Sequence, residues 1–335
     1  MKPVVFILPV LAIATMTLCG CQTAQTGARE GAAGARTSHQ DSELSLPVSP
    51  SAGRSPQTGT GLPSEHHSVS YEDQWIGGAE VPSDAEQLFD EANALAKEGR
   101  FADSILLYDE ILQTHPDSVW VWLNKGAALD NVQRMEEALI CFDRALTIEP
   151  GQAEAWNNKG VALERLGRAE EALSSYNQSL SIKPDYVEAW NNKGRLLYAL
   201  GRSEEALTCF ERGLSTESGG AYAPMWNNKG LALDGLGRGQ EALTCFERAL
   251  SIRSDYVEAW NNKGRTFGNL GRSQEALVCF ERALSHDPNW GFAWENKGIT
   301  LAVLIRDEDA LGCFEKALVL KPDRAVTWNL KGAAV

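Results

Sequence analysis

Glu154-Ala-Trp-Asn-Asn-Lys-Gly160 is the stretch whose reading decides the fold. The same seven residues return at Glu188–Gly194 and Glu258–Gly264, and variants place Trp122, Trp226, Trp294 and Trp328 ahead of the same Lys-Gly pair. Aligned on this marker, units begin near Ala85, Val119, Ala153, Val187, Ala223, Val257 and Gly291, with a partial eighth from Ala325. A period of about 34 residues is that of a helix-turn-helix repeat, in which each unit leaves an apolar face for the next to cover. Such an array grows without closing on one core, so the length of 335 residues sets no domain number.

Within one unit, Trp156, Gly160 and Leu163 fall three or four apart, Gly167 interrupts the pattern, and Ala172 and Tyr176 resume it until Pro184. That is the spacing of two amphipathic helices per unit. Gly167 and its equivalents are expected to close the first helix in the left-handed conformation. Asp185 with Glu188, and Asp255 with Glu258, have capping-box spacing and are expected to start the next first helix. The fourth unit is two residues longer, around Ser218-Gly219-Gly220, which marks a place where the stack could bend or loosen.

At these residues the chain resembles the tetratricopeptide repeat family, whose Trp, Leu-Gly, Tyr, Ala, aromatic and Pro pattern runs through the units. The resemblance covers residues 83–335, about seven repeats and a partial eighth, and implies an all-α, right-handed superhelical solenoid with a concave groove. Gly126, Gly160, Gly194, Gly230, Gly264 and Gly298 stand where the family needs small residues for close helix contact. The chain departs from the pattern at Lys125, Lys159, Lys193, Lys229, Lys263 and Lys297, which replace the usual Leu, and at Ser218 and Ser254, which replace Pro. Lysines at the edge of the core stripe are expected to bury their stems, with weak pairing to neighbouring carboxylates. The first unit has Leu88 for Trp and Ser104 for Ala, as a capping repeat would.

Residues 1–20 carry one basic residue, Lys2, and an apolar run from Val4 to Leu18 that is too short to span a bilayer comfortably. This reads as a signal peptide. Leu18-Cys19-Gly20-Cys21 resembles a lipoprotein signal, which implies lipidation at Cys21 and attachment to a cell membrane or outer membrane; an uncleaved anchor or a plain signal peptide is the alternative. Residues 21–82 are rich in Gly, Ala, Ser, Thr and Pro and read as a disordered tether. The formal net charge of -14 argues against a nucleic-acid partner, which would require clustered Lys and Arg.

Counting 100° per residue along the first helix, Trp156, Gly160 and Leu163 define the core side, and Asn158 points the opposite way with Glu154 and Arg165. By this phase Asn124, Asn158, Asn192, Asn228, Asn262 and Asn296 form one row across the repeats. In the resembled family this face lines the groove. A row of carboxamides, each with one acceptor and two donors, is suited to pairing with the backbone of an extended peptide. A similar row holds substrate backbone in the repeat region of the O-linked N-acetylglucosamine transferase. The bland alternative is that Asn is simply common at this position. Neighbouring candidates for specificity are Glu154, Arg165, Glu188, Arg195, Glu258 and Arg265, with Trp120, Phe292, Ile299 and Val303 making the ends apolar. Phe89 and Glu154 occupy two places where chaperone-binding relatives carry carboxylate-clamping lysines.

Cys141, Cys209, Cys245, Cys279 and Cys313 take equivalent places on the second helices. Packed helices lie about 8 to 10 Å apart, so equivalent thiols are beyond disulfide reach and are expected to be buried and free. The five histidines are scattered, and neither a phosphate-binding loop nor a nucleophile elbow occurs, so the sequence implies no enzyme, cofactor or metal site. The expected function is a lipid-anchored, exported scaffold binding an extended segment of another protein. Two alternatives are self-association through the partial C-terminal repeat and a lipoprotein of pilus or secretion assembly.

Overall fold

The computed structural model describes residues 83 and 85–334. Cys21 and the signal and tether residues read from the sequence lie outside them. The described part is all helical and repeats one motif. First helices are α1 (Glu86–Lys97), α3 (Val119–Asn131), α5 (Ala153–Arg165), α7 (Val187–Ala199), α9 (Ala223–Gly235), α11 (Val257–Asn269), α13 (Gly291–Val303) and α15 (Ala325–Ala333). Second helices are α2 (Phe101–Thr114), α4 (Met135–Ile148), α6 (Ala169–Ile182), α8 (Ser203–Leu214), α10 (Gly239–Ile252), α12 (Ser273–His286) and α14 (Asp307–Leu320). Each second helix packs between its own first helix and the next one, as a solenoid requires.

The marker residues explain this stacking. A Cβ built on Gly160 would lie 2.6 Å from Cε1 of Tyr176, and on Gly126 2.5 Å from Cε1 of Phe142. These glycines let a fully buried ring of the second helix come close against the first helix. Trp156 is only half-buried, and its Nε1 donates to the Pro150 carbonyl, 3.0 Å away in the preceding inter-repeat turn. The bond recurs six residues back from Trp122, Trp190, Trp226, Trp260, Trp294 and Trp328. The indole therefore ties each turn to the helix it introduces.

Lys159 sits with Nζ 5.2 Å from the centre of the Trp156 ring and 2.6 Å from the Asp143 carboxylate on the preceding second helix. Equivalent pairs join Lys229 to Glu211, Lys263 to Glu247, and Lys297 to Glu281. Each contact is exposed and contributes about 0 to 1 kcal/mol. Lys193 keeps the tryptophan contact, but Asn177 stands where the carboxylate would be.

Helix starts differ from the sequence reading. The N-caps of α7 and α11 are Tyr186 and Tyr256, and neither helix has a side-chain cap, so Asp185 and Asp255 do not form capping boxes. The inter-repeat turn closes with Tyr186 N donating to Lys183 O, which moves the helix start one residue past the aspartate and leaves Glu188 at the second helical position. The left-handed closures hold: Gly167 and Gly201 have φ of 74° and 77°. At the same position in two other repeats the chain uses Gln133 and Ile305, at φ 65° and 57°.

The lengthened fourth unit is packed rather than loose. Gly219–Ala221 form a single 3-10 turn, Thr216 Oγ1 donates to Gly213 O and accepts from Gly219 N, and Tyr222 N donates to Gly219 O. Gly213 replaces the usual Ala of α8 and makes room for Met225, whose Cε would be 2.5 Å from a Cβ there.

Candidate functional site

The first helices are neighbours in the stack, and the asparagines that helical phase directs away from the core are for the most part buried at the contacts between them. Their surroundings differ from the expectation. Asn192 is 7% exposed, and its Nδ2 donates to Asn157 Oδ1, one repeat back, at 3.1 Å. Asn228 donates in the same way to Asn191 at 2.9 Å, Asn262 to Asn227 at 3.0 Å, and Asn296 to Asn261 at 2.9 Å. Asn124 donates to Asn93, which also receives the Tyr108 hydroxyl. Asn158 has Leu123 rather than Asn in the preceding repeat and instead accepts from Asn157 Nδ2 at 3.2 Å.

From α5 to α13 the amides thus form a relay in which the first asparagine of one repeat accepts from the second asparagine of the next. Asn157 and Asn227 also donate within their own dipeptide, and losing one bond of the relay would cost about 1 to 3 kcal/mol. The sequence reading singled out the second asparagine and missed the first, although the doubling was visible in the marker itself. One amide N–H of the row is committed to the stack. The Oδ1 atoms of Asn192, Asn262 and Asn296 accept no hydrogen bond from any described residue.

The charged neighbours are also interlinked. Arg165 Nη1 contacts the buried Asp130 carboxylate at 2.8 Å and donates to the Asp130 carbonyl. Arg195 grips Glu164 with two nitrogens, both at 2.9 Å, and Glu164 also receives the Tyr176 hydroxyl. Arg265 stands 4.0 Å from Asp234. Glu154 pairs with Lys183 of the following turn at 3.0 Å. Glu188 and Glu258 are half-buried and form no ion pair with a described residue. At the C-terminal end the face turns apolar, with Ile299 and Val303 exposed and Phe292 under the Lys321 and Arg324 cations.

The last interface uses a charge in place of an amide. Glu295 replaces the first asparagine of α13, is buried, and accepts from Arg324 Nε and Nη2 at 2.9 and 2.7 Å and from the Thr327 hydroxyl. This clamp holds α15, whose Trp328 remains 53% exposed.

The five repeat thiols are free and buried, as their positions imply. Burial pushes the Cys141, Cys245 and Cys279 thiols up to about 11, and raises Cys209 and Cys313 in the same direction. Among the described residues no group of three or more His, Cys, Asp and Glu is placed to hold a metal ion, and no helix is long and apolar enough to cross a membrane.

Comparison with solved structures gives a tetratricopeptide repeat protein from Parabacteroides merdae, with TM-score 0.60 and 18% identity over 75% of this chain and 98% of the other. The Cut9-Hcn1 hetero-tetramer of the APC/C aligns with TM-score 0.60 and 17% identity, covering 79% and 60% of the two chains. PilW, a type IV pilus biogenesis factor, aligns with TM-score 0.59 and 20% identity, covering 63% and 97%. These likenesses concern the fold. A search of curated proteins found no match. Tetratricopeptide repeat families match residues 117–185, 151–216, 191–257 and 257–289, which together with the stacked helix pairs places the chain in the tetratricopeptide repeat family.

Proposed function

We propose that the chain is an exported, lipid-anchored binding scaffold that holds an extended segment of a partner protein along its first-helix face. The observation that carries this reading is the state of the asparagine row. The Oδ1 atoms of Asn192, Asn262 and Asn296 stand at equivalent positions of α7, α11 and α13, are held in orientation by the bond from their own Nδ2, and lack a donor among the described residues. Fixed, unfilled acceptors in a row match the N–H groups of an extended chain, and pre-orientation lowers the entropy lost on binding. In this reading Cys21 is the anchor and residues 21–82, rich in Gly, Ala, Ser, Thr and Pro, join it to the repeats.

The groove reading is tested by placing a photo-crosslinking side chain at exposed positions in cells. Ala199 and Val303, on first helices, should trap a partner, and Thr208, on a second helix, should not. Equal trapping from all three positions sinks the reading. The anchor is tested by Cys21→Ser, which should release the chain from the membrane fraction; full retention defeats it.

Self-association is a second reading, favoured by the exposed Trp328 and Val326 on α15. Light scattering over a range of concentrations separates the two, because a strictly monomeric chain removes it.

A further inference from the structure

On the first-helix face the amide relay links successive units, but a second set of contacts repeats only every second unit. The bonds from Asn157 to Asn158 and from Asn227 to Asn228 occur in α5 and α9 and have no counterpart in α7 and α11. Arg195 reaches back to Glu164 and Arg265 to Asp234, while the intervening α9 carries Leu231 at that place. Lys183 lies over the Tyr186 ring and Arg253 over the Tyr256 ring. Every one of these features moves by 70 residues, the interval between the identical stretches Tyr186–Arg195 and Tyr256–Arg265.

From α5 to α11 the period sorts the asparagine oxygens into two kinds. Those of Asn158 and Asn228 are filled by their neighbours, and those of Asn192 and Asn262, both at least nine-tenths buried, are not. One turn before the Asn192 and Asn262 oxygens stands an unpaired carboxylate, Glu188 or Glu258; Asn296 is also unfilled but has Phe292 at that place. The nearby guanidinium groups of Arg195 and Arg265 are turned toward Glu164 and Asp234 instead. Burial chiefly raises the Tyr186 and Tyr256 hydroxyls well above the usual tyrosine range; Glu154 and Glu188 add to this at Tyr186, and Glu258 adds to it at Tyr256, where Arg253 partly offsets it.

We infer that the face carries two copies of one cation-accepting subsite, Glu188 with Asn192 and Glu258 with Asn262, and that its ligand is an extended segment bearing two basic side chains. This rests on the groove reading given above. A carboxylate and an amide oxygen one turn apart are both acceptors and fit a lysine or arginine head, in keeping with a chain of net charge -14. First helices in contact lie about 8 to 10 Å apart, so subsites two repeats apart are separated by about 16 to 20 Å. An extended chain covers that in about five or six residues. The copies differ in strength. Lys183 is neutralised by Glu154, whereas Arg253 has Pro224 in place of that carboxylate, so the second subsite is less negative.

The test is fluorescence anisotropy of the full chain with labelled Gly/Ser/Thr peptides of about fourteen residues, carrying two arginines about six apart, two arginines adjacent, one arginine, or two glutamates. The peptide with separated arginines should bind about tenfold or more tightly than the single-arginine peptide, since the second contact is intramolecular. Glu188→Gln and Glu258→Gln should each remove most of that gain, Glu188→Gln the more. Indifference to arginine spacing, or preference for the acidic peptide, overturns the inference. A parallel selection from a random peptide display library separates it from the groove reading. Binders lacking paired basic residues that are lost on Asn192→Ala leave the groove and remove the doubled subsite. Failure to select any binder removes both.

Discussion

Asn192 gives one N–H of its side-chain amide to Asn157, 3.1 Å away on the neighbouring first helix, and keeps its own oxygen free of donors. One residue thus serves the stack with its nitrogen and a ligand with its oxygen. A loss of binding on Asn192→Ala is therefore to be read beside its effect on unfolding.

Asn157 is the acceptor at this joint and is fully buried. Asn157→Ala leaves the Asn192 amide without a partner and should cost about 1 to 3 kcal/mol, seen as a lower midpoint in urea unfolding. An unchanged midpoint would show that the relay adds nothing to stability.

Gly160→Ala exchanges a poor helix former for the best one, yet its Cβ would meet Tyr176 Cε1 at 2.6 Å. Overpacking outweighs the propensity gain of about 1 kcal/mol, and we expect net destabilisation of about 1 to 2 kcal/mol. Adding Tyr176→Leu should recover part of the loss, measurable as a double-mutant cycle.

Ile305 is β-branched, 68% exposed and held at φ 57° where other repeats have glycine. Ile305→Gly should stabilise the chain by about 1 kcal/mol, because the left-handed conformation costs a side-chain-bearing residue about 1 to 2 kcal/mol and little packing is lost. A lower melting temperature in this variant would contradict that account.

The buried thiols set a pH limit. Cys141, Cys245 and Cys279 are raised from 9.0 to about 11 by burial, so the unfolded chain releases these protons first as pH rises. The stabilisation is complete below pH 9 and is lost between about 9 and 11. Denaturation midpoints measured from pH 8 to 11 should fall across that window and recover in a variant with all five thiols replaced by alanine, relative to its own value at pH 8. At pH 8 the native thiols should also resist a thiol reagent until the chain unfolds.

The array was legible in the sequence because its cause is local and repeated. Trp156, Gly160 and Tyr176 each leave a mark every repeat, and helix phase follows from their spacing. The helix starts were less legible: Asp185 has the right chemistry for a cap, and only the turn through Lys183 and Tyr186 shows that the helix begins one residue later. The phase gathered Asn158 and Asn192 into one row but did not foresee their burial, and their bonding depends on which side chain stands opposite in the preceding repeat. Leu123 opposite Asn158 and Asn157 opposite Asn192 give two different outcomes for one motif.

The tryptophan bond to the sixth residue back has a consequence for how such an array can lengthen over evolutionary time. Its acceptor is a backbone carbonyl, supplied by Pro184 in one turn, Gly220 in another and Ser254 in a third. The joint makes no demand on the identity of the side chain at the seam. A duplicated segment can therefore be spliced in with an imperfect junction, two extra residues included, and still be fastened to what precedes it. The related pair of 70-residue blocks, identical at Tyr186–Arg195 and Tyr256–Arg265, has the form such a copying event would leave, with the seam at Gly219-Gly220 absorbed by the fold.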